Sequence, residues 1–425
     1  MKKDKALNGR NLPVAAALAV VLLMLQVGIA LGVAETGSAA NPEREPRLDA
    51  KAWVVIDART GEPLAGHAEN RHLPMASTTK MMTAYLAIKR LPLRKEVKAG
   101  DYQGDPAESL MGLEPGQMVS VRDLLYGLMM LSGNDAAVTL AKAVSGTEAR
   151  FVKLMNRTAS RLGLDDTHYN NPVGLDGPSH YTSAADLASL GRDVMAIPRL
   201  RSIAGSRVAK LTSYDPPLVI ETTDSFLRDN AWARGIKTGH TLKAGYALAS
   251  DGRKNATELI GAVIGAPTEA ARNAETVRLL NYGFSLYEKE VPIKVDSPVT
   301  KVPVKYEDAD LPLVSKRRVR LGVRQGETLN VSYDLPEEVE GPILAGDRVG
   351  YATVRLDGDP YARVPLFAGR TVEKPSLIDR LTGSLLLVIA LLVFALFVII
   401  AIVLLVRRHR EARARKRLRR VLRTK

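Results

Sequence analysis

Three short stretches hold side chains whose types and spacing suit acyl transfer. Ser77-Thr78-Thr79-Lys80 sets a hydroxyl and an amine three residues apart, Ser132-Gly133-Asn134 adds a second hydroxyl and a carboxamide, and Lys237-Thr238-Gly239 adds a cation, a hydroxyl and a residue without a side chain. A serine hydroxyl is a poor nucleophile until a base removes its proton. Helical positions three apart share a face, so Lys80 can be that base for Ser77 if its amine is neutral. A site that desolvates the amine or holds a second cation nearby lowers its pKa in the required direction, and Lys237 is the candidate cation. The Ser132 hydroxyl can pass a proton to a leaving amine, while Asn134 can orient a substrate or Lys80. Lys237 and Thr238 suit a substrate carboxylate, and Gly239 leaves room for a substrate backbone. Each stretch alone also has an ordinary reading. S-x-x-K arises by chance in a chain of 425 residues, S-G-N can join a C-cap glycine to an N-cap asparagine, and K-T-G can simply end a strand.

The surrounding pattern places these residues. Apolar positions recur every third or fourth residue over Thr78–Ile88, Val121–Leu131, Asn134–Val144, Glu148–Leu162 and Ala184–Ile197, which predicts helices. Ser77 then stands at a helix start, near orphan N–H groups and the positive end of the dipole, with Lys80 one turn on. Trp53 to Gly66 reads as a hairpin turning at Gly61. Gly235–His240, Gly245–Ser250 and Glu258–Ile264 read as strands of an antiparallel sheet, followed by a helix over Glu269–Tyr287. Strands at both ends of a helical block imply a sheet covered by helices, an α+β catalytic domain over 51–288. Beyond it, Lys301–Tyr306, Arg318–Val323, Glu327–Tyr333, Arg348–Leu356 and Tyr361–Phe367 alternate apolar and polar residues, and Asp357-Gly358 marks a hairpin turn. These predict a small all-β domain over 289–372. Residues 35–50 and 373–384 read as linkers.

Composition excludes a disordered, collagen-like or disulfide-stapled chain, since 46% of residues are hydrophobic, 25% are charged and none is Cys. Zinc fingers and thiol catalysis are excluded with the cysteines. The formal charge of +14 is unevenly spread. Residues 1–12 carry Lys2, Lys3, Lys5 and Arg10 against Asp4, ahead of an uncharged run from Pro13 to Ala34 and the small residues Ser38-Ala39-Ala40. This order predicts a signal peptide or an uncleaved signal anchor over 1–34. Leu385 to Val406 has no charged or strongly polar side chain, and a helix of that length spans about 33 Å, enough for a transmembrane segment. Residues 407–425 follow with nine Arg and two Lys against Glu411 alone, which predicts a cytoplasmic tail. About one net charge is left for everything between, so the body is nearly neutral. The tail has no interleaved aromatic residue for base stacking, and no nucleic-acid partner is expected.

The three motifs, in this order and at this spacing, resemble those of the penicillin-recognising serine D,D-peptidases, more narrowly the low-molecular-weight D-alanyl-D-alanine carboxypeptidases. The resemblance extends over Ala52–Phe367 and includes Asn171-Pro172-Val173-Gly174-Leu175, His180 through Ala188 and Gly235 through Thr241. It implies a penicillin-binding (β-lactamase/transpeptidase-like) catalytic domain with an antiparallel sheet and a helical subdomain, then the small all-β domain and the C-terminal transmembrane helix. It also implies Ser77 as acyl-forming nucleophile, Lys80 as base, Ser132 as proton relay, Asn134 as a supporting polar group and Lys237 as binder of the terminal carboxylate, with Thr238 and Gly239 beside it. The backbone N–H groups of Ser77 and His240 would form the oxyanion hole. The expected partners are peptidoglycan stem peptides ending in D-Ala-D-Ala, β-lactam antibiotics and the bacterial cytoplasmic membrane, with the catalytic domain outside it. Members of this family often end in an amphipathic helix on the membrane, whereas this chain is expected to span it.

No cofactor is expected. The six His residues lack a ligand spacing, so no metal site is predicted. No G-x-S-x-G elbow marks a Ser-His-Asp hydrolase. Met81-Met82 and Met129-Met130 read as core filler, and Asp165 and Asp166 are not promoted to a deacylating carboxylate.

Overall fold

The computed structural model describes residues 44–105, 107–382 and 385–421. The signal or anchor expected over 1–34 lies outside the described residues.

A five-stranded antiparallel sheet organises the catalytic part, in the order β2 (Pro63–His67), β1 (Ala52–Asp57), β9 (Thr257–Ala266), β8 (Gly245–Lys254) and β7 (Ala233–Thr241). Strand β1 is buried at every position. Side chains alternate across a strand, so Ala52, Val54 and Ile56 enter one apolar cluster while Trp53 and Val55 enter the other. The helix Glu269–Ser285 covers the second face through Leu279 and Leu280. The first face carries the helical block. Its centre is α1 (Lys80–Arg90), where every residue from Lys80 to Ala87 is buried. Around it lie α2 (Val121–Met130), α3 (Asn134–Ser145), α4 (Glu148–Arg161) and α5 (Ala184–Ala196). Ser120, Thr147 and Ser183 cap α2, α4 and α5 by accepting the N–H of the residue three further on.

The expected hairpin, the five helices and the three strands are present within a few residues of their predicted ends. Three details differ. Ser77 does not open an α-helix: Ala76–Thr79 form a 3-10 turn and the α-helix starts at Lys80. The cause is in the motif, because the hydroxyls of Thr78 and Thr79 turn back to accept no backbone proton but donate to Met75 O and Ala76 O, closing a tight turn. The helix expected to reach Tyr287 ends at Ser285, since Tyr287 opens a strand (Tyr287–Ile293) and its hydroxyl donates to Asp57. Finally, two short strand pairs, β3 (Glu96–Lys98) with β4 (Met118–Ser120) and β5 (Val208–Leu211) with β6 (Leu218–Glu221), carry too few residues to show a period.

Residues 298–368 hold a second five-stranded sheet around Val302, Leu311, Leu313, Val354, Val364 and Leu366. Asp357 and Gly358 both have positive φ, as a two-residue hairpin turn demands. The strand Leu311–Val314 was absent from the expected set, because four residues give only two apolar positions on one face. Polar contacts join this part to the first sheet, Arg59 to Glu327 and Arg324 to Glu62.

A short helix, Leu377–Thr382, interrupts the expected linker. The last helix runs Leu385–Val421, fifteen residues past the expected span. Arg, Ala, Leu and Lys are good helix formers, so propensity carries the helix on where hydropathy stops. It is the one described helix long and apolar enough to cross a membrane.

Candidate active site

The edge strand β7 lies against the 3-10 turn, and that contact builds the site. A methyl group on Gly239 would come within 3.0 Å of Ser77 N and 3.1 Å of Met75 O, so only a glycine lets strand and turn approach this closely. Ser77 is partly exposed at the junction while its neighbours are buried. Lys80 Nζ stands 2.9 Å from Ser77 Oγ and donates to Val173 O at 2.6 Å. Val173 reaches it on a loop held by Asn171, whose Oδ1 accepts the N–H groups of Val173, Gly174 and Leu175.

Lys80 is fully buried. Its pKa is lowered well below the ordinary lysine value, by desolvation first and then by the Lys237 charge, with Glu108 and Asp135 pulling the other way. The expected role of Lys237 as the perturbing cation is therefore the lesser cause. Lys237, 2% exposed, is pushed down to about 8, again by burial first. Asp224 opposes that shift and Arg272 adds to it. Lys237 Nζ donates to Thr238 O at 2.9 Å. The ring of exposed His240 stacks on Tyr246, 4.1 Å between centroids, at the far end of β7.

Ser132 sits in the turn between α2 and α3, and Asn134 is the first residue of α3. Ser132 has φ +61, a left-handed conformation rarely taken by a residue with a Cβ. Among the described residues no hydrogen bond joins it to Ser77 or Lys80. The Asn134 carboxamide donates to Glu108 Oε2 at 2.6 Å, and the Tyr102 hydroxyl donates to the same oxygen. Sequence reasoning missed Glu108 and Tyr102, which lie in a loop without periodicity. It also missed Asp135, whose carboxylate gathers the N–H groups of Met111, Gly112, Leu113 and Ala136. An acidic residue in the first turn of a helix was the available signal. Asp166, left unpromoted, pairs with His72 at the surface.

A partly exposed serine hydroxyl hydrogen-bonded to a buried, desolvated lysine can support nucleophilic attack on an acyl group, and a second buried lysine on the adjoining strand edge can attract an anion. Comparison with known proteins gives the family. Residues 39–268 match the family model described as D-alanyl-D-alanine carboxypeptidase, and residues 287–374 match that of the penicillin-binding protein 5 C-terminal domain. The chain belongs to the D-alanyl-D-alanine carboxypeptidase family. It is 31% identical to the carboxypeptidase DacF of Bacillus subtilis over 79% of this chain and 89% of that protein, and 33% identical to DacA of Escherichia coli over 76% and 83%. Among solved structures, DacD from Francisella tularensis superposes with a TM-score of 0.56 at 26% identity, covering 81% of this chain and 98% of that one. Penicillin binding protein 5 from Haemophilus influenzae gives 0.55 at 28%, covering 78% and 100%. The fold is thus a penicillin-binding, transpeptidase-like catalytic domain followed by the all-β domain of that family, with a C-terminal apolar helix.

Proposed function

We propose that this carboxypeptidase removes the terminal D-alanine from peptidoglycan stem peptides, with Ser77 as the nucleophile and Lys80 as its base. The observation that carries the reading is the 2.9 Å contact between Lys80 Nζ and Ser77 Oγ in a site where Lys80 is fully buried. Burial lowers the pKa of the amine and so favours its neutral form, whose lone pair can take the hydroxyl proton as Ser77 Oγ attacks the carbonyl carbon of the penultimate D-alanine. The peptide C–N bond then breaks, and the proton passes through Ser132 to the leaving amine. Water hydrolyses the resulting ester and returns a proton to Ser77. Lys237, with Thr238 and Gly239 beside it, receives the terminal carboxylate. The N–H groups of Ser77 and His240 hold the oxyanion, where one donor is worth about 3–4 kcal/mol of barrier. β-Lactams acylate the same serine.

The last helix supports a single C-terminal span of the bacterial cytoplasmic membrane, with its basic end inside and the catalytic domain outside. Asn134, bonded to Glu108, shapes the cleft beside Ser132. Labelling the full-length protein with fluorescent penicillin tests the assignment. A covalent adduct that Ser77→Ala abolishes, together with D-alanine release from a D-Ala-D-Ala peptide, is expected. An adduct that survives Ser77→Ala overturns the nucleophile. Cleavage of cross-links alone, or rapid turnover of penicillin, would make the protein an endopeptidase or a β-lactamase instead.

A further inference from the structure

A line of hydrogen bonds enters the nucleophile turn from the loop before α5, and the reaction described above does not use it. It begins at His180, 3% exposed and packed edge-on against Tyr169. His180 Nδ1 accepts the Asn170 N–H at 2.9 Å, so that nitrogen carries no proton. Burial holds the ring neutral, and its one N–H is therefore on Nε2. That group donates to Thr79 Oγ1, 2.8 Å away. The Thr79 hydroxyl in turn donates its single proton to Ala76 O at 2.8 Å.

Ala76 O is one end of a planar unit whose other end is the Ser77 N–H. A peptide is rigid and trans, so whatever fixes the carbonyl direction fixes the N–H direction as well. The unit is not held by its own backbone preference, because Ala76 has φ +48. Its surroundings press on it from both ends. A methyl group on Gly174 would fall 2.0 Å from Ala76 O, and one on Gly239 would fall 3.0 Å from Ser77 N.

We propose that Thr79 and His180 act in series as positioning residues, fixing the rotation of the Ala76–Ser77 peptide so that the Ser77 N–H points at the developing oxyanion. The proposal rests on the reading of Ser77 as nucleophile. Neither side chain is hydrogen-bonded to Lys80 or Lys237, so their effect reaches the reaction through that peptide. Removing an oxyanion donor costs about a hundred- to thousandfold in rate, so loosening one should cost about ten- to a hundredfold.

The test compares full-length wild type, Thr79→Val, Thr79→Ser, His180→Phe and the Thr79→Val/His180→Phe double variant. It measures the acylation rate by fluorescent penicillin, kcat and KM for D-alanine release, and Tm. Thr79→Val and His180→Phe should acylate about ten- to a hundredfold more slowly with KM little changed, because the oxyanion exists only beyond the ground state. The double variant should be no slower than the slower single one, since a series is broken once. Thr79→Ser, which keeps the hydroxyl, should recover most of the rate. The proposal is overturned if Thr79→Val acylates like wild type, if the two losses multiply, or if Thr79→Ser falls as far as Thr79→Val. Should His180→Phe fail to fold, the near-isosteric Thr79→Val and its serine rescue decide alone. A wild type that labels normally beside an unaffected Thr79→Val sinks this proposal and leaves Ser77 standing; a wild type that never labels sinks both.

Discussion

Replacing Asp135 by Asn changes one atom and should cost as much as a large core truncation. The carboxylate is 5% exposed. Oδ1 accepts the N–H groups of Met111 and Ala136 at 2.8 Å, and Oδ2 accepts those of Gly112 and Leu113 at 2.9 Å. A carboxamide has one oxygen, so in either orientation its NH2 faces two of these four donors. Two N–H groups then lose their acceptor in a site that admits little water, at about 1–3 kcal/mol each, and two bonds to a charged acceptor become bonds to a neutral one. The two lost acceptors alone come to about 2–6 kcal/mol, against a total stability of about 5–15 kcal/mol for a typical folded protein. The loss is local first. The loop 109–113 is held to the Ser132 turn by Asp135 and by the Asn134 N–H donating to Ser109 O, so Asp135→Asn should slow penicillin acylation as well. Urea unfolding followed by Trp53 and Trp232 fluorescence reads the stability, and hydrogen exchange at 111–113 reads the locality. A stability change under about 1 kcal/mol, with exchange at those amides unchanged, would refute the reasoning.

Lys237→Met should abolish D-alanine release yet raise stability near pH 7. A native pKa of about 8 against 10.5 corresponds to about 3 kcal/mol of penalty on the charged form, of which about 1–3 kcal/mol should be recovered once the Asp224 attraction is forfeited. Between those two values the unfolded chain binds more protons than the native one, so wild-type stability rises with pH across that window and the variant's advantage shrinks there; denaturant titrations at several pH values follow it. His180 works in the same sense at acid pH, its native value about 4 lying below 6.5. Wild type should lose about 3 kcal/mol as pH falls from 6.5 through 4, and His180→Phe should flatten that slope. Gly174→Ala, at φ +102 and with its methyl 2.0 Å from Ala76 O, should cost about 3 kcal/mol and most of the penicillin labelling.

What could be read in the sequence was whatever leaves a period or a fixed spacing. The five helices of the block, strands β7 to β9 and the hairpin at Asp357-Gly358 all do so. The four-residue strand Leu311–Val314 does not, and neither does the loop that delivers Glu108 to Asn134. Backbone contributions are harder still. The Val173 carbonyl that receives Lys80 belongs to no motif by side-chain chemistry, since any residue supplies that oxygen; only the loop geometry made by Asn171 and Gly174 aims it. Ser77 was expected at a helix start because the apolar period begins beside it. Periodicity sees buried faces, and it is blind to two threonine hydroxyls that turn back on the chain.

The same distinction explains why the motif residues alone do not make a site. The sequence offered desolvation or the Lys237 charge as what lowers the Lys80 pKa; both do, and burial is the larger cause, as it is for Lys237 itself. Burial is a property of α1 and β7 as whole elements. α1 is enclosed from Lys80 to Ala87, and β7 is sealed on the turn by Gly239. Two nearby carboxylates, Glu108 and Asp135, push Lys80 back towards its charged form, so the core must outweigh them for the amine to act as a base. An S-x-x-K pair on a solvated helix would have the same spacing and no such chemistry. It follows that opening the core that encloses α1, for example by Met81→Ala at a fully buried position, should slow labelling by fluorescent penicillin even though Met81 touches no substrate, because water admitted to that core favours the charged form of Lys80.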